Sequence, residues 1–274
     1  MRTLQGYRVV AHNTATASSN KIHDDEVARR YGFGGGLVPG VDVYAYMTQP
    51  PAAAWGLDWL AGGSMQARFL SPVYEGEAVT VVPGEPEESP GGVTVPLEVR
   101  NAAGDTCATG RAGMPHEPGP TPDVAATVGA AVAERPDASP ASLAPGTALA
   151  VAPHRFVAAR AGEYLADVRE DLPLYAEAGV AHPGWVLRRA NDVLGSNVRM
   201  GPWIHVGSDV RHHAAVADGA SVDARATVTR EWERKGHRFV ELDVGVFVDG
   251  DRLAARIVHT AIYRPREGLA PDAT

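Results

Sequence analysis

The sequence predicts an α+β chain in which two antiparallel sheets, each wrapped round a central helix, form a tandem repeat that pairs as an internal pseudo-dimer. Three observations lead there. The first is a set of landmarks that recur in order: Pro39-Gly40 returns as Pro183-Gly184, Val73-Tyr74-Glu75-Gly76 as Val216-Ala217-Asp218-Gly219, and Gly104-Asp105 as Gly250-Asp251, at offsets of 144, 143 and 146 residues. Each dipeptide alone is worthless, but three at nearly one offset mark two copies of one fold. The second is the order of elements within each copy, a helix followed by a run of strands. The third is the break between copies, where Pro115, Pro118, Pro120, Pro122, Pro136, Pro140, Pro145 and Pro153 lie among small and polar residues. Repeated prolines interrupt both helices and ladders.

Taken in order, the elements read alike in both halves. A helical stretch leads into Pro39-Gly40 and a second, apolar helix runs from Val41 to Met47; its counterpart runs from Trp185 to Leu194. Alternating or β-branched segments follow at Ala78 to Val82 and Val93 to Val99. In the second half they lie at Trp203 to His213, Ser221 to Thr229, Arg238 to Val248 and Leu253 to Tyr263. Gly91-Gly92, Ala103-Gly104-Asp105 and Asp249-Gly250-Asp251 mark turns. The domains are therefore placed at 1–116 and 153–274, with 117–152 as an extended linker that holds a short helix near Val124 to Glu134.

Composition narrows the function. A charge of −8, with 45% hydrophobic and 21% charged residues, describes an ordinary globular chain and excludes wholesale disorder, collagen and a long coiled coil. It also argues against nucleic acid, because phosphate binding needs a basic surface and Arg188-Arg189 is too short a cluster. Cys107 is the only cysteine, which excludes an intramolecular disulfide and a cysteine metal cluster. It sits in a strand-like segment with no paired base, as a buried inert thiol would. The N-terminus lacks the apolar run of a signal peptide and no stretch of about 18 apolar residues appears, so the expectation is a soluble cytoplasmic protein with no membrane partner.

The densest chemistry lies in Asn20-Lys21-Ile22-His23-Asp24-Asp25-Glu26-Val27-Ala28-Arg29-Arg30-Tyr31-Gly32-Phe33, followed by Gly34-Gly35-Gly36-Leu37-Val38-Pro39-Gly40. This segment resembles the hydratase motif of the MaoC-like dehydratases and (R)-specific enoyl-CoA hydratases, with Asn20, His23, Ala28, Phe33 and Gly40 on the motif's positions. The later Phe69-Leu70-Ser71-Pro72-Val73-Tyr74-Glu75-Gly76-Glu77 is similar to that family's Phe-x-x-Pro-Val-x-x-Gly-Asp/Glu strand and turn. The resemblance implies a hot dog fold, and the internal repeat extends it to a double hot dog. The departures are specific: Ser18 stands where the family has its catalytic Asp, Lys21 replaces a Pro, and Pro39 replaces the His before the helix-opening Gly. In the second half Asp167 aligns with His23, while His182 keeps a His beside the helix start.

The resemblance implies a hydro-lyase acting on an acyl thioester carried by coenzyme A or an acyl carrier protein, with no other cofactor and no metal. Hydrating an α,β-unsaturated thioester needs a base for water at C3, a proton for C2 and stabilisation of an enolate oxygen. His23 suits the first two, and the N–H of Gly40 at a helix N-terminus suits the third. Asn20 joins them as a motif position. Asp24 and Asp42 are candidates for the missing carboxylate, with Asp25 beside them, although acidic residues in a first helical turn also follow from the dipole alone. Ser18 would position a water, and Thr48 falls where the family places a helix hydroxyl. Phe33, Gly35, Tyr44 and His182 complete the expected substrate-binding set, Gly35 within a loop over the pocket. Two other readings stay open. Thioester hydrolysis would use Asp42 or Asp192 on the central helices, and a catalytically degenerate acyl-binding or partner subunit would follow from the loss of Asp at Ser18. His205, Asp209, Arg211 and His213 share parity on their strand and suggest a polar face between the halves, their spacing matching no metal site. Trp55, Trp59, Trp185 and Trp203 read as core or pocket-wall aromatics. A chain with two such units can stand alone or pair again as a homodimer.

Overall fold

The computed structural model describes residues 3–117, 119 and 134–266. The first half contains β1 (Tyr7–Val10), α1 (Asp25–Arg30), α2 (Gly40–Gly62), β2 (Ser64–Phe69), β3 (Ala78–Pro83), β4 (Glu87–Ser89), β5 (Gly92–Asn101) and β6 (Thr106–Pro115). The second contains β7 (Ala148–Arg155), α3 (Ala161–Asp167), α4 (Leu174–Ala178), α5 (Pro183–Asn197), β8 (Ile204–His212), β9 (Ser221–Arg234), β10 (His237–Val248) and β11 (Arg252–Arg264). The strands form one sheet in the order β1-β3-β5-β6-β2-β8-β11-β10-β9-β7, with β4 paired to β5 off this path. Counted outward from the centre, 2-6-5-3-1 on one side mirrors 8-11-10-9-7 on the other, which is the repeat seen as topology.

The expectation of two separate sheets needs one refinement. The edges β2 and β8 pair antiparallel, with Met65 opposite Val210 and Ala67 opposite Ser208, all buried. Two exposed edges are thereby removed, and the seam gains an apolar lining. Each copy also repeats the contacts of its landmark. Val38 N–H donates to Val73 O and Ala181 N–H to Val216 O, both at 2.8 Å. Gly76 and Gly219 turn at φ of +75° and +81°, a conformation that explains why glycine stands at both. The side chain before each turn, Glu75 or Asp218, accepts a backbone N–H from Asn13 or Ala158.

Helix α2 packs on α5 and against strands of both halves. Val41 to Thr48 are all buried, so this helix is covered on every side, as a central core helix must be. It does not end at Met47: it runs through Pro50 and Pro51 and kinks at Gly56, whose φ is +61°. In the segment read as linker, the helix expected near Val124 to Glu134 falls outside the described residues save Glu134. Beyond it, Ala138 and Leu143 are buried, and residues 148–152 already run as strand, with Ala148 opposite Thr227. Among the described residues no helix is long and apolar enough to cross a membrane.

Candidate active site

A cavity of about 320 Å³ lies at the seam between the halves. Its first-half wall comes from the 3₁₀ turn Lys21–His23, the segment Leu37 to Gly40 that enters α2, and Phe69 to Val73 after β2; its second-half wall comes from Asn191, Trp203 to Val206, His237 and Ile262. Most of these side chains are apolar, which suits an acyl chain.

Asn20 caps the 3₁₀ turn, its Oδ1 accepting from Ile22 N–H. The same oxygen accepts from Trp203 N–H at 3.1 Å, while Nδ2 donates to Trp203 O at 3.0 Å. One amide thus ties the first-half motif to the second half's strand entrance. Nδ2 also lies 3.3 Å from His23 Nε2. His23 Nδ1 donates to Leu37 O at 2.7 Å, which fixes the tautomer and leaves Nε2 a lone pair. Burial holds the His23 pKa below its ordinary value, with the Leu37 carbonyl and Asp42 opposing in part, so the ring is neutral at pH 7. Gly40 opens α2, and its N–H has no described partner. A Cβ there would come within 2.9 Å of His205 Nδ1 and 3.0 Å of Phe69 Cε2, so only glycine fits. Asn20, His23, Phe33 and Gly40 therefore meet at one cavity.

The other sequence-derived candidates lie elsewhere. Ser18 does not line the cavity; its Oγ accepts from Asn20 N–H at 3.1 Å. Asp24 caps α1 through Val27 N–H, and Asp25 pairs with Arg29 and accepts Gly36 N–H. Both face a second, more polar cavity of about 780 Å³, which Gly35 and the other side of His23 also line, and the glycine loop expected over the pocket is held there through Gly34 N–H to Tyr74 Oη and Gly36 N–H to Asp25. Asp42 is fully buried away from the cavity, 2.6 Å from an Arg188 guanidinium nitrogen and accepting from Thr14 Oγ1. It is a structural tie between α2 and α5. Asp192 is paired with Arg189. Thr48 donates to its own helix at Ala45 O, and Tyr44 is packed wholly within the core.

His182 occupies the second half's copy of the site and closes it. Its Nδ1 accepts Gly184 N–H at 3.0 Å, its Nε2 lies 3.2 Å from Glu170, and the rings of Tyr164 and Tyr175 pack on it. The N–H that α2 leaves free is thus occupied in α5. Of the tryptophans, Trp203 walls the cavity, Trp59 is buried and donates to Gly113 O, and Trp185 packs beneath Arg189.

The residue that sequence reasoning assigned to the wrong partners is His205. Strict alternation grouped it with Asp209, Arg211 and His213, but β8 carries a bulge against β11 between the pairs Thr260–Gly207 and Ala261–His205. The extra residue shifts parity. His205 turns inward with Ser208, Val210 and His212, whereas Arg211 is exposed and Asp209 pairs with Arg68 on the other face. Asn191 and His237 are further cavity residues that the sequence did not single out.

No family model matches the chain, and no curated protein matches it. Solved structures do. A structure from Chloroflexus aurantiacus, provisionally described as a MaoC domain protein dehydratase, is 13% identical with a TM-score of 0.61, covering 98% of this chain and 97% of its own. A conserved hypothetical protein from Mycobacterium tuberculosis, described as having a double hotdog fold, is 13% identical with a TM-score of 0.62 and 96% of each chain covered. A structure from Lactobacillus plantarum provisionally described as an oleoyl thioesterase is 14% identical, with a TM-score of 0.54 over 97% of this chain and 98% of its own. Full-length coverage on both sides, together with the mirrored strand order, establishes that this chain has the double hot dog fold.

Proposed function

We propose that the protein is a hydro-lyase that adds or removes water across C2–C3 of an acyl thioester carried on coenzyme A or an acyl carrier protein. One observation supports this above the rest: a neutral imidazole whose Nε2 carries a lone pair, met at 3.3 Å by Asn20 Nδ2, and an unpaired helix N-terminal N–H stand in the wall of one apolar cavity. In the hydration direction the thioester oxygen accepts from Gly40 N–H, and a water accepts no proton but gives one to His23 Nε2 as its oxygen attacks C3. The C2–C3 π electrons move into the enolate, whose oxygen the helix N-terminus stabilises. The imidazolium then returns the proton to C2, restoring neutral His23. No carboxylate lines the cavity among the described residues, so one histidine serves as both base and acid. Hydrolysis lacks its base for the same reason, since Asp42 and Asp192 are engaged in ion pairs.

The test is spectroscopic: short and long trans-2-enoyl-CoA with wild type and His23→Ala, following loss of the conjugated enone absorbance and release of free thiol in parallel. The expected result is loss of enone absorbance without thiol release, falling about 10²- to 10⁴-fold in His23→Ala. Thiol release, or full activity in the variant, would overturn the reading.

A further inference from the structure

A buried polar chain adjoins the cavity and takes no part in the reaction as written. His205 Nε2 lies 2.8 Å from Ser208 Oγ, and Ser208 Oγ lies 3.0 Å from His259 Nδ1. His205 is 6% exposed; Ser208 and His259 are 0% exposed. The two outer nitrogens, His205 Nδ1 and His259 Nε2, have no described partner. Two neutral imidazoles and a hydroxyl hold two N–H groups and one O–H. A hydroxyl that accepted from both rings would orphan its own O–H in the core, so it donates to one of them; the two links then consume the O–H and one N–H, and one N–H is left over at one end of the chain. At His259 Nε2 it would be sealed in the core, where an orphaned N–H is costly; His205 Nδ1 is itself covered, but its ring lines the cavity, so a bound oxygen can approach that end alone. This favours the orientation in which His259 Nδ1–H donates to Ser208, Ser208 Oγ–H donates to His205 Nε2, and His205 Nδ1–H is held at the cavity wall.

That N–H stands beside the helix N-terminus, since a Cβ built on Gly40 would lie 2.9 Å from His205 Nδ1. Resting on the hydro-lyase reading, we propose that His205 is a catalytic residue whose Nδ1–H joins Gly40 N–H as the second donor to the thioester oxygen, with Ser208 and His259 as positioning residues. The second half thus supplies chemistry to a site whose motif lies wholly in the first. Burial and the neighbouring His259 hold His205 well below its ordinary pKa, opposed in part by the backbone of Gly207. A neutral imidazole can act as electrophile in such a setting, and no charge need be buried beneath the substrate.

The experiment has two arms on the full chain. In the first, kcat and KM for enoyl-CoA hydration are measured in wild type, His205→Leu, His205→Asn and Ser208→Ala. His205→Leu is expected to lose about 10²- to 10³-fold in kcat with KM nearly unchanged. His205→Asn, whose amide nitrogen sits near the Nδ1 position, should recover at least about tenfold of that, and Ser208→Ala should lower kcat by a smaller factor. In the second arm, ¹H–¹⁵N spectra of the histidine side chains are recorded with and without acetoacetyl-CoA. His205 should be the Nδ1–H tautomer in wild type and should shift when the thioester is added, with the tautomer disturbed in Ser208→Ala. A kcat within about threefold of wild type in His205→Leu, or an Nε2–H tautomer, would overturn the proposal. Should wild type hydrate no enoyl thioester, the hydro-lyase reading fails while the second arm still decides: a shift with saturating acetoacetyl-CoA keeps His205 as the oxygen's donor, and none removes it.

Discussion

Asn20 decides more at the candidate site than its contact with His23 alone would indicate. Its amide satisfies the backbone N–H and C=O of Trp203 at 3.1 and 3.0 Å while standing 3.3 Å from His23 Nε2. Truncation to Ala leaves both Trp203 groups without a protein partner, at a cost of about 2 kcal/mol. The more informative change is Asn20→Asp, which keeps an acceptor for Trp203 N–H and sets a negative charge beside the imidazole. An opposite charge favours imidazolium, so the His23 pKa, held low by burial in wild type, should rise. The proposed base must be neutral, and the acid limb of the pH–rate profile should therefore move to higher pH in Asn20→Asp. A limb that stays in place would separate Asn20 from the titration of His23. At this scale the sequence was legible where the site is contiguous: Asn20, His23, Phe33 and Gly40 fall within one stretch of 21 residues, so local pattern suffices. His205 was misassigned because a single bulge in β8 reversed its face, and the sign of it in sequence is one glycine, Gly207, inside an otherwise regular strand.

The two central helices start with the same Pro-Gly and use it oppositely. In α2 Pro39 precedes the helix without offering a side-chain cap, and Gly40 N–H stays free at the cavity. In α5 His182 caps the helix through Gly184 N–H, and the Tyr164 hydroxyl comes within 2.4 Å of where a Gly184 Cβ would stand. His182 was read from sequence as a substrate contact because it sits one residue from the helix start. Whether an imidazole there caps the N–H or leaves it open depends on Glu170, Tyr164 and Tyr175, which reach it from other elements. The helix boundary was similarly hidden: Pro50-Pro51 reads as a stop, yet burial of both prolines within the core carries α2 past them. A paired substitution tests the division of labour. Gly40→Ala and Gly184→Ala both insert a methyl into filled space and should each destabilise by about 1–3 kcal/mol. Only Gly40→Ala should also reduce kcat, by roughly 10²-fold, because it displaces His205 and the helix N-terminus from the thioester oxygen. Equal kcat losses in thermal- and activity-matched measurements of the two variants would contradict a single open site.

On the scale of the whole molecule, the repeat was readable because turn geometry constrains residue type: Gly76 and Gly219 adopt positive φ, and the carboxylates of Glu75 and Asp218 accept a backbone N–H, so the landmarks persist in both halves. The join between halves was not readable, since pairing β2 to β8 depends on which edges meet after both units form. That join concentrates neutral histidine. His205 and His212 on β8 and His259 on β11 are all buried, and burial lowers all three, His212 to about 4 and His259 to about 3. Each ring is neutral in the folded chain and takes a proton in the unfolded chain below its ordinary value of 6.5. Between these limits the unfolded state binds more protons, so stability is retained above pH 6.5 and falls as the pH drops towards 4. Three such groups give a slope approaching about 4 kcal/mol per pH unit, beyond what the carboxylates add. His212 offers the cleanest test, because its ring packs edge-on against Trp59 at 5.3 Å and its Nε2 has no described partner. His212→Phe keeps the aromatic contact and removes the titration. Urea unfolding of wild type and His212→Phe between pH 7.5 and 4.5 should show the variant's slope shallower by about 1.4 kcal/mol per pH unit below pH 6. Parallel slopes would mean that His212 takes up its proton in the folded chain as readily as in the unfolded one.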